Sequence, residues 1–525
     1  MSAPSLSEKD DDDRLPYTEV KIPMSTFIAE SRVRDFLASR GVGTDASQAE
    51  LERYVPRKIV LQIWPSRVQG ELGSDAMGGY VAFNIAYYNG THGDDQVVSS
   101  FLIVTDLYGD EVRISPTMRE RRADASAADT TRLHFCGLKM RDPDTMLLAG
   151  DNGTTEMGPA YLWKWKEDEY VELMEGRTVN CHDIQWAHAD AGAGDAGAVW
   201  MPATGAIDKY NASTGATLKH LTLDHAVDIN HVQLIDDDKT AILSGRSTND
   251  IIKLDVSSGE VQWYLGGSYG DFDIYAEDGK KYDKGESYWR GQHNAEYLGQ
   301  VNGSDGKVVD EYGMFDNNYD QNSSSRLLVV QVDESTMVAT VVFEHRTGEY
   351  TPEFGDCDKL PSGNLLTCFW LQKLDVSAWA ASGDADEQFD VRVEEIVPST
   401  KLPAWRASVQ GPLCEHGTCD DSWSSWKIYS AERFYPRPLV WGVECSDGTL
   451  SFSSTNNFRQ NNADRAYYVV TTLDGDTLTK GAFGFRPHWQ PTEVSVDFGY
   501  DYKYSGYVVV SNKWDDQTWA AFDCG

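Results

Sequence analysis

A repeat constrains this chain more than any other feature. IDKYNASTG begins at Ile207 and IIKLDVSSG at Ile251, 44 residues later. Both place Lys, an apolar residue, Asn or Asp, and a Ser/Thr-Gly turn in the same order. A looser copy, VQVDEST, occupies 330–336, after an insertion at 268–288 rich in Tyr, Asp and Gly. Turn chemistry of this kind joins adjacent strands, so each copy reads as a hairpin between outer strands. A period in the forties with several strands per unit is the signature of propeller blades.

The surrounding sequence agrees. Runs such as VLQIW, YVAFNIAYY, TMLLAGD, TAILSGR and LLVVQV are short, rich in β-branched and aromatic residues, and bounded by Gly, Asp and Asn. One helical candidate stands out, TFIAESRVRDFLAS near 26–39. The fold class expected is therefore all-β. Residues 1–55 read as an acidic, partly disordered segment with a short helix, the first 20 or so expected to be mobile. Residues 56–430 read as the propeller. Residues 431–525 lose the repeat and read as a small appended β-sandwich.

With 83 acidic and 46 basic residues, the net charge is −37. Such a field repels a phosphate backbone and disfavours nucleic-acid binding. A site for any anion must gather His and Arg locally against it. No run of 18 apolar residues exists, so no membrane-spanning helix is expected. The chain has eight cysteines, an even number that fits disulfides without fixing their connectivity. Cys357 and Cys368 flank the turn LPSGN and suit a bridge across a hairpin. Cys414 and Cys419 could close a tight loop, and Cys445 and Cys524 could bracket the C-terminal domain. Zinc at Cys414, His416 and Cys419 lacks a second ligand pair, and no metal is assigned. Five Asn-x-Ser/Thr triplets, at Asn89, Asn152, Asn211, Asn302 and Asn322, join the cysteines in favouring a secreted, disulfide-bonded glycoprotein. The opening MSAPSLSEKDDDDRLP has no apolar core and is not a signal peptide.

Three of the 11 histidines share a context. His182 in CHDIQW, His231 in INHVQLI and His293 in GQHNAEYL each precede a short alternating run, at separations of 49 and 62 residues. The second interval contains the long insertion. In a propeller, equivalent points on successive inner strands converge on the central channel, so the three would meet there. Arg246 in LSGRSTN lies a hairpin's length beyond His231, and Arg326 in NSSSRLL repeats the theme. Three imidazoles can also hold zinc or copper, but a guanidinium beside them suits an anion better.

These motifs, HDIQW, DINHVQL with SGRSTNDIIKLDVSSGEVQWYLGG, and GQHNAEYL with FDNN and SSSR, resemble the aryl-sulfate-dependent arylsulfotransferase family. The resemblance runs from about Asp144 to Phe369 and is closest over 181–330. It implies a six-bladed β-propeller that moves a sulfuryl group between phenols through a sulfohistidine, with neither phosphoadenosine phosphosulfate nor another cofactor. It further implies that His293 is the group transiently sulfated, and that His182, His231 and Arg246 hold the sulfate oxygens. Gln233, Asn294, Asn317, Arg326 and Trp289 are the accompanying candidates for substrate contact. One departure is Gln233, which stands where bacterial relatives carry asparagine.

The residue chemistry is coherent with that expectation. A neutral imidazole is a competent nucleophile, and Arg with His supplies fixed donors for the oxygens of a loosening sulfate. Asn294 or a backbone carbonyl is expected to choose the attacking ring nitrogen, and protonated His182 or His231 to serve the leaving phenolate. Neither a phosphate-binding G-x-x-x-x-G-K-[ST] loop nor a G-x-S-x-G elbow occurs. The partners expected are a small aryl sulfate and a phenolic acceptor. Two other classes fit the composition: a non-catalytic extracellular binding propeller that retains the sulfate site, and a hydrolase or metalloenzyme using water as acceptor.

Overall fold

Alternate residues along single strands face different neighbours, and this alternation organises the molecule. A computed structural model describes residues 17–89, 96–117, 134–151, 156–188, 197–225, 228–303, 306–319, 323–372, 388–412, 424–446, 448–497 and 504–524. Within them the chain is all-β, with antiparallel strands predominating and only short helices.

Up to Phe434, six sheets of four to six strands account for most of it among the described residues. The second begins at His134–Asp142, the third at Gln185–Trp186, the fourth at Ile229–Ile235 and the fifth at His293–Asn302; each then continues as a meander. The first and sixth are built from both ends of the chain. Tyr80–Asn89 in the first pairs with Ser425–Lys427 and Ala431–Phe434. The sixth runs from Asp356–Lys359 through Leu402–Gln410 to Lys58–Ile63 and Thr18–Pro23. Thr18–Pro23 is thus ordered as a strand at the margin of the stretch expected to be mobile.

The period-2 pleat sends neighbouring residues to opposite faces. Met146 and Leu148 pack with Ala82, Leu102 and Val104 of the first sheet, whereas Leu147 and Ala149 pack with Val199 and Met201 of the third. Ala241 and Leu243 face the third sheet, and Ile242 the fifth. Leu365 and Phe369 face the fifth, whereas Leu366, Cys368 and Trp370 join Phe83, Phe101 and Ile103 of the first. Each sheet therefore shares one apolar core with the sheet before it and another with the sheet after it, and the sixth shares its second with the first.

The repeated turns join third to fourth strands in their sheets. Asn211 accepts from the Ser213 and Thr214 N–H groups, Asp255 from Ser258, and Asp333 from Ser335. This self-bonding explains why Asn or Asp recurs at that phase. The insertion at 268–288 adds Asp273–Tyr275 and Lys281–Tyr282 to the outer edge of the fifth sheet, with Phe272 and Ile274 fully buried. It is an edge extension with its own core residues, remote in the sheet from the inner strand His293–Asn302. The single helix expected near 26–39 is two, Met24–Ala29 and Ser31–Ser39, because Glu30 is extended between them. Both bury their apolar residues against the core shared by the sixth and first sheets.

A correction concerns the cysteines. Cys357 and Cys368 are free and buried. Their hairpin pairs Asp356 with Cys368 and Cys357 with Thr367, so the two thiols lie on opposite faces of the sheet and enter different cores. A disulfide joins Cys445 to Cys524 as expected, and another joins Cys136 to Cys181. Cys414, His416 and Cys419 lie outside the described residues. Beyond Phe434, a three-stranded and a four-stranded antiparallel sheet share a core of Val440, Phe452, Val470, Val494, Val508 and Phe522. Among the described residues, no helix is long and apolar enough to cross a membrane.

Candidate functional site

His293 opens an inner strand at a β-bulge. It pairs with Phe315, and regular pairing resumes at Glu296 opposite Gly313. Asn294, buried and at φ 44°, lies in that irregularity. The antiparallel partner continues past Asp316 and brings Asn317 beside the imidazole. Asn317 Oδ1 lies 2.7 Å from His293 Nδ1, and the Gly291 carbonyl lies 3.3 Å from the same nitrogen. The Asn317 Nδ2 group donates to the Thr351 and Phe354 carbonyls at 2.9 and 2.8 Å. With both amide protons so used, Oδ1 must face the ring, and Nδ1 carries the imidazole proton. Nε2 keeps the lone pair and accepts the Phe354 N–H at 3.2 Å. Burial, then the charge of Arg246, hold the His293 imidazolium far below the usual histidine range; His182 adds to this, and Asn317 works against it. His293 is therefore neutral at physiological pH.

His182 lies across an aromatic wall. Tyr429 presents its ring to His182 and His293 at centroid distances of 5.9 and 6.0 Å. Phe354 packs on Tyr429 at 4.9 Å. The Cys136–Cys181 disulfide, one residue before His182, packs against this pair. Asn180 Oδ1 binds the His182 backbone N–H at 2.9 Å and meets its Nδ1 at 2.6 Å. That leaves Nε2 facing outward, 3.9 Å from the exposed Glu156 carboxylate. The Tyr429 hydroxyl donates to the Asn230 carbonyl at 3.3 Å, and burial keeps it protonated. Arg246 lies over Tyr319 at 5.6 Å and makes only a 3.4 Å contact with Asp228. Among the described residues, its buried Nε has no hydrogen-bond partner. The structure thus gathers His293, His182, Arg246 and Asn317 around Tyr429.

His231 is held differently. Its Nδ1 lies 2.9 Å from Asp183 and its Nε2 3.5 Å from Glu296, and all three residues are buried. Burial lowers its pKa and outweighs the opposing Asp183 charge, while Asp183 itself is pulled down to about 2 by His231 and Lys139 against desolvation. His231 faces carboxylates rather than the His293 ring.

Three other candidates are engaged elsewhere. The Gln233 amide bridges strands, donating to the Tyr297 carbonyl and Asn461 and accepting the Tyr297 N–H. Its length over asparagine is what spans that gap. Arg326 is committed to Asp316, Glu344 and Tyr288. Trp289 is fully buried in the core between the fourth and fifth sheets. Sequence reading passed over Tyr429, Asn180, Asp183, Lys139, Glu296 and Arg459. Asp183 and Glu296 lie one and three residues from the selected histidines, which was a usable signal. Tyr429 and Arg459 come from distant chain and carried none. His134, Cys136 and Asp151 bring ligand-type atoms within 4.8 Å of one another. Cys136 is in a disulfide, however, so the group lacks its thiolate.

Fold and site together define the class: an all-β protein with a buried histidine–arginine centre assembled from strand ends of successive sheets. Residues 225–416 match the family Arylsulfotransferase (ASST). The match bears out the family read from the motifs and supports a sulfotransferase acting on small molecules. It includes His231, Arg246, His293 and Asn317, whereas His182 and Tyr429 fall outside it. No curated protein is matched. Similar solved structures include the Kuenenia stuttgartiensis hydrazine synthase, at 12% identity and TM-score 0.30 over 64% of this chain and 80% of that one. A nidogen/laminin complex gives 8% identity and TM-score 0.35 over 68% and 98%. A Lactobacillus plantarum protein gives 10% and 0.31 over 66% and 100%. Likenesses at these scores carry no argument for fold or activity. The two disulfides are compatible with an extracellular or periplasmic protein.

Proposed function

We propose that the protein transfers a sulfuryl group from an aryl sulfate to a phenol through a sulfohistidine on His293, without phosphoadenosine phosphosulfate. The observation that carries this reading is the neutral His293 imidazole with its proton fixed on Nδ1 by Asn317, its lone pair on Nε2, and Arg246 and His182 near enough for their charges to bear on the ring. Nε2 attacks sulfur as the bond from sulfur to the aryl oxygen breaks, and the departing phenolate takes a proton from His182. Arg246 holds the sulfate oxygens, and the rings of Tyr429 and Phe354 form the wall for the aryl group. In the second half the acceptor phenol returns a proton to His182, its oxygen attacks sulfur, and the N–S bond breaks.

The six sheets and the cyclic order of their shared cores support a six-bladed propeller for 56–430, stitched shut by strands from both chain ends. The two sheets beyond Phe434 support a C-terminal β-sandwich.

One observation favours a second reading, a binding propeller that keeps the site without turnover. The Phe354 N–H occupies the Nε2 lone pair, and attack requires it to withdraw. Release of 4-nitrophenol from 4-nitrophenyl sulfate, with and without phenol, separates the readings. Transfer predicts release stimulated by phenol and lost in His293→Asn; water as acceptor predicts release without phenol. Binding without release from the folded protein would favour the second reading.

A further inference from the structure

All six sheets send an ionisable group into one buried cluster. Lys139 comes from the second sheet, Asp183 from the segment leading into the third, and His231 from the fourth. Glu296 comes from the fifth, Asp356 and Asp358 from the sixth, and Glu432 from the strand that completes the first. Glu296 is the hub. Lys139 Nζ reaches it at 2.9 Å and His231 Nε2 at 3.5 Å. Its remaining partner, Arg459, belongs to no blade.

The Arg459 side chain is only 7% exposed, and its guanidinium grips Glu296 through both terminal nitrogens while also meeting Asp358 at 2.6 Å. It is carried in by the segment NNFRQNN of the C-terminal domain. That segment is tied down on either side: Phe458 bridges to Phe434, Asn461 accepts from Gln233, and Asn462 accepts the Asp237 N–H at 2.7 Å. A paired guanidinium is the residue type that best holds a buried carboxylate.

A carboxylate facing Nε2 favours a second proton on an imidazole whose Nδ1 already faces Asp183. Lys139 and Arg459 draw the Glu296 charge the other way. We propose that Arg459 is a positioning residue for the site: by holding Glu296 it keeps that carboxylate from claiming His231 as a cationic partner, so the C-terminal domain completes the channel and keeps His231 neutral. Its consequence for turnover rests on the sulfuryl-transfer reading; the coupling of Arg459 to His231 does not.

The groups that bear on His231 are Asp183, Glu296, Lys139 and Asp356. Behind them, Asp358 is pushed well up by burial and Asp356, and Glu432 is pushed up to about 8 by burial. Glu296, bound through both of its carboxylate oxygens, is the carboxylate that Arg459 holds most fully.

The test is a titration of the full-length protein labelled with 13C at histidine Cε1, with the His231 resonance assigned from His231→Gln. In Arg459→Gln the His231 midpoint should rise by about one pH unit or more, and Arg459→Lys should restore most of the difference. Glu296→Gln should lower the midpoint and abolish the effect of Arg459→Gln, which keeps the test decisive if the single Arg459 variant fails to fold. An unmoved His231 midpoint in folded Arg459→Gln, or in Glu296→Gln, would overturn the proposal. A moved midpoint in a protein that turns over no aryl sulfate would sink the transfer reading and leave the coupling standing.

Discussion

Asn317 fixes the tautomer of His293: Oδ1 lies 2.7 Å from Nδ1, and the Asn317 amide protons are both spent on backbone carbonyls. The imidazole lone pair is thereby assigned to Nε2. Replacing Asn317 with leucine should lower kcat by about 10-fold or more with a smaller change in KM. Single-turnover kinetics with 4-nitrophenyl sulfate would measure it. An unchanged rate would show that the Gly291 carbonyl alone suffices.

Arg246 acts on the same imidazole through its charge. It helps depress the His293 pKa, and in the proposed transfer it binds the sulfate oxygens. Arg246→Gln should therefore cost about 10²–10³-fold in kcat/KM and move the acid limb of the profile to higher pH. The wild-type limb should lie well below the ordinary histidine range, because activity requires neutral His293 and protonation is what the site resists. A full pH profile of both proteins would check the rate and the direction together.

His488 predicts an acid sensitivity that has nothing to do with catalysis. Burial, helped by the Arg459 charge, lowers its pKa to about 3, and its ring packs on Tyr297 at 4.9 Å. The unfolded chain binds the proton near pH 6.5 and the folded chain only near 3, so stability is lost as pH falls between these values. The slope from this residue is about 1.4 kcal/mol per pH unit. His488→Gln should flatten it, as read from urea midpoints at pH 7, 5 and 4. Equal slopes in the two proteins would mean that His488 is not buried neutral.

Much of this architecture was legible in the sequence, and the reasons are local. The Asn211, Asp255 and Asp333 turns bond within three residues, so their repeat survives as a pattern in the chain. What was hidden depends on contacts between distant segments. Cys357 and Cys368 look bridgeable until the strand register places them on opposite faces. Trp289 and Arg326 stand next to site motifs, yet one fills a core and the other an ion-pair network. Tyr429, 136 residues beyond His293, reaches it only because the chain returns to complete the first sheet. Arg459 arrives from beyond the six sheets, with nothing in its flanking residues to announce Glu296 as its partner.

The central claim is a covalent one, and mass spectrometry tests it most directly. The protein is mixed with 4-nitrophenyl sulfate in the absence of acceptor, quenched at alkaline pH to preserve N-linked sulfate, and digested. The account predicts one added sulfuryl group on the peptide containing His293, absent from His293→Asn and discharged when phenol is added before the quench. Turnover to sulfated phenol with no such adduct, or an adduct on another residue, would contradict it.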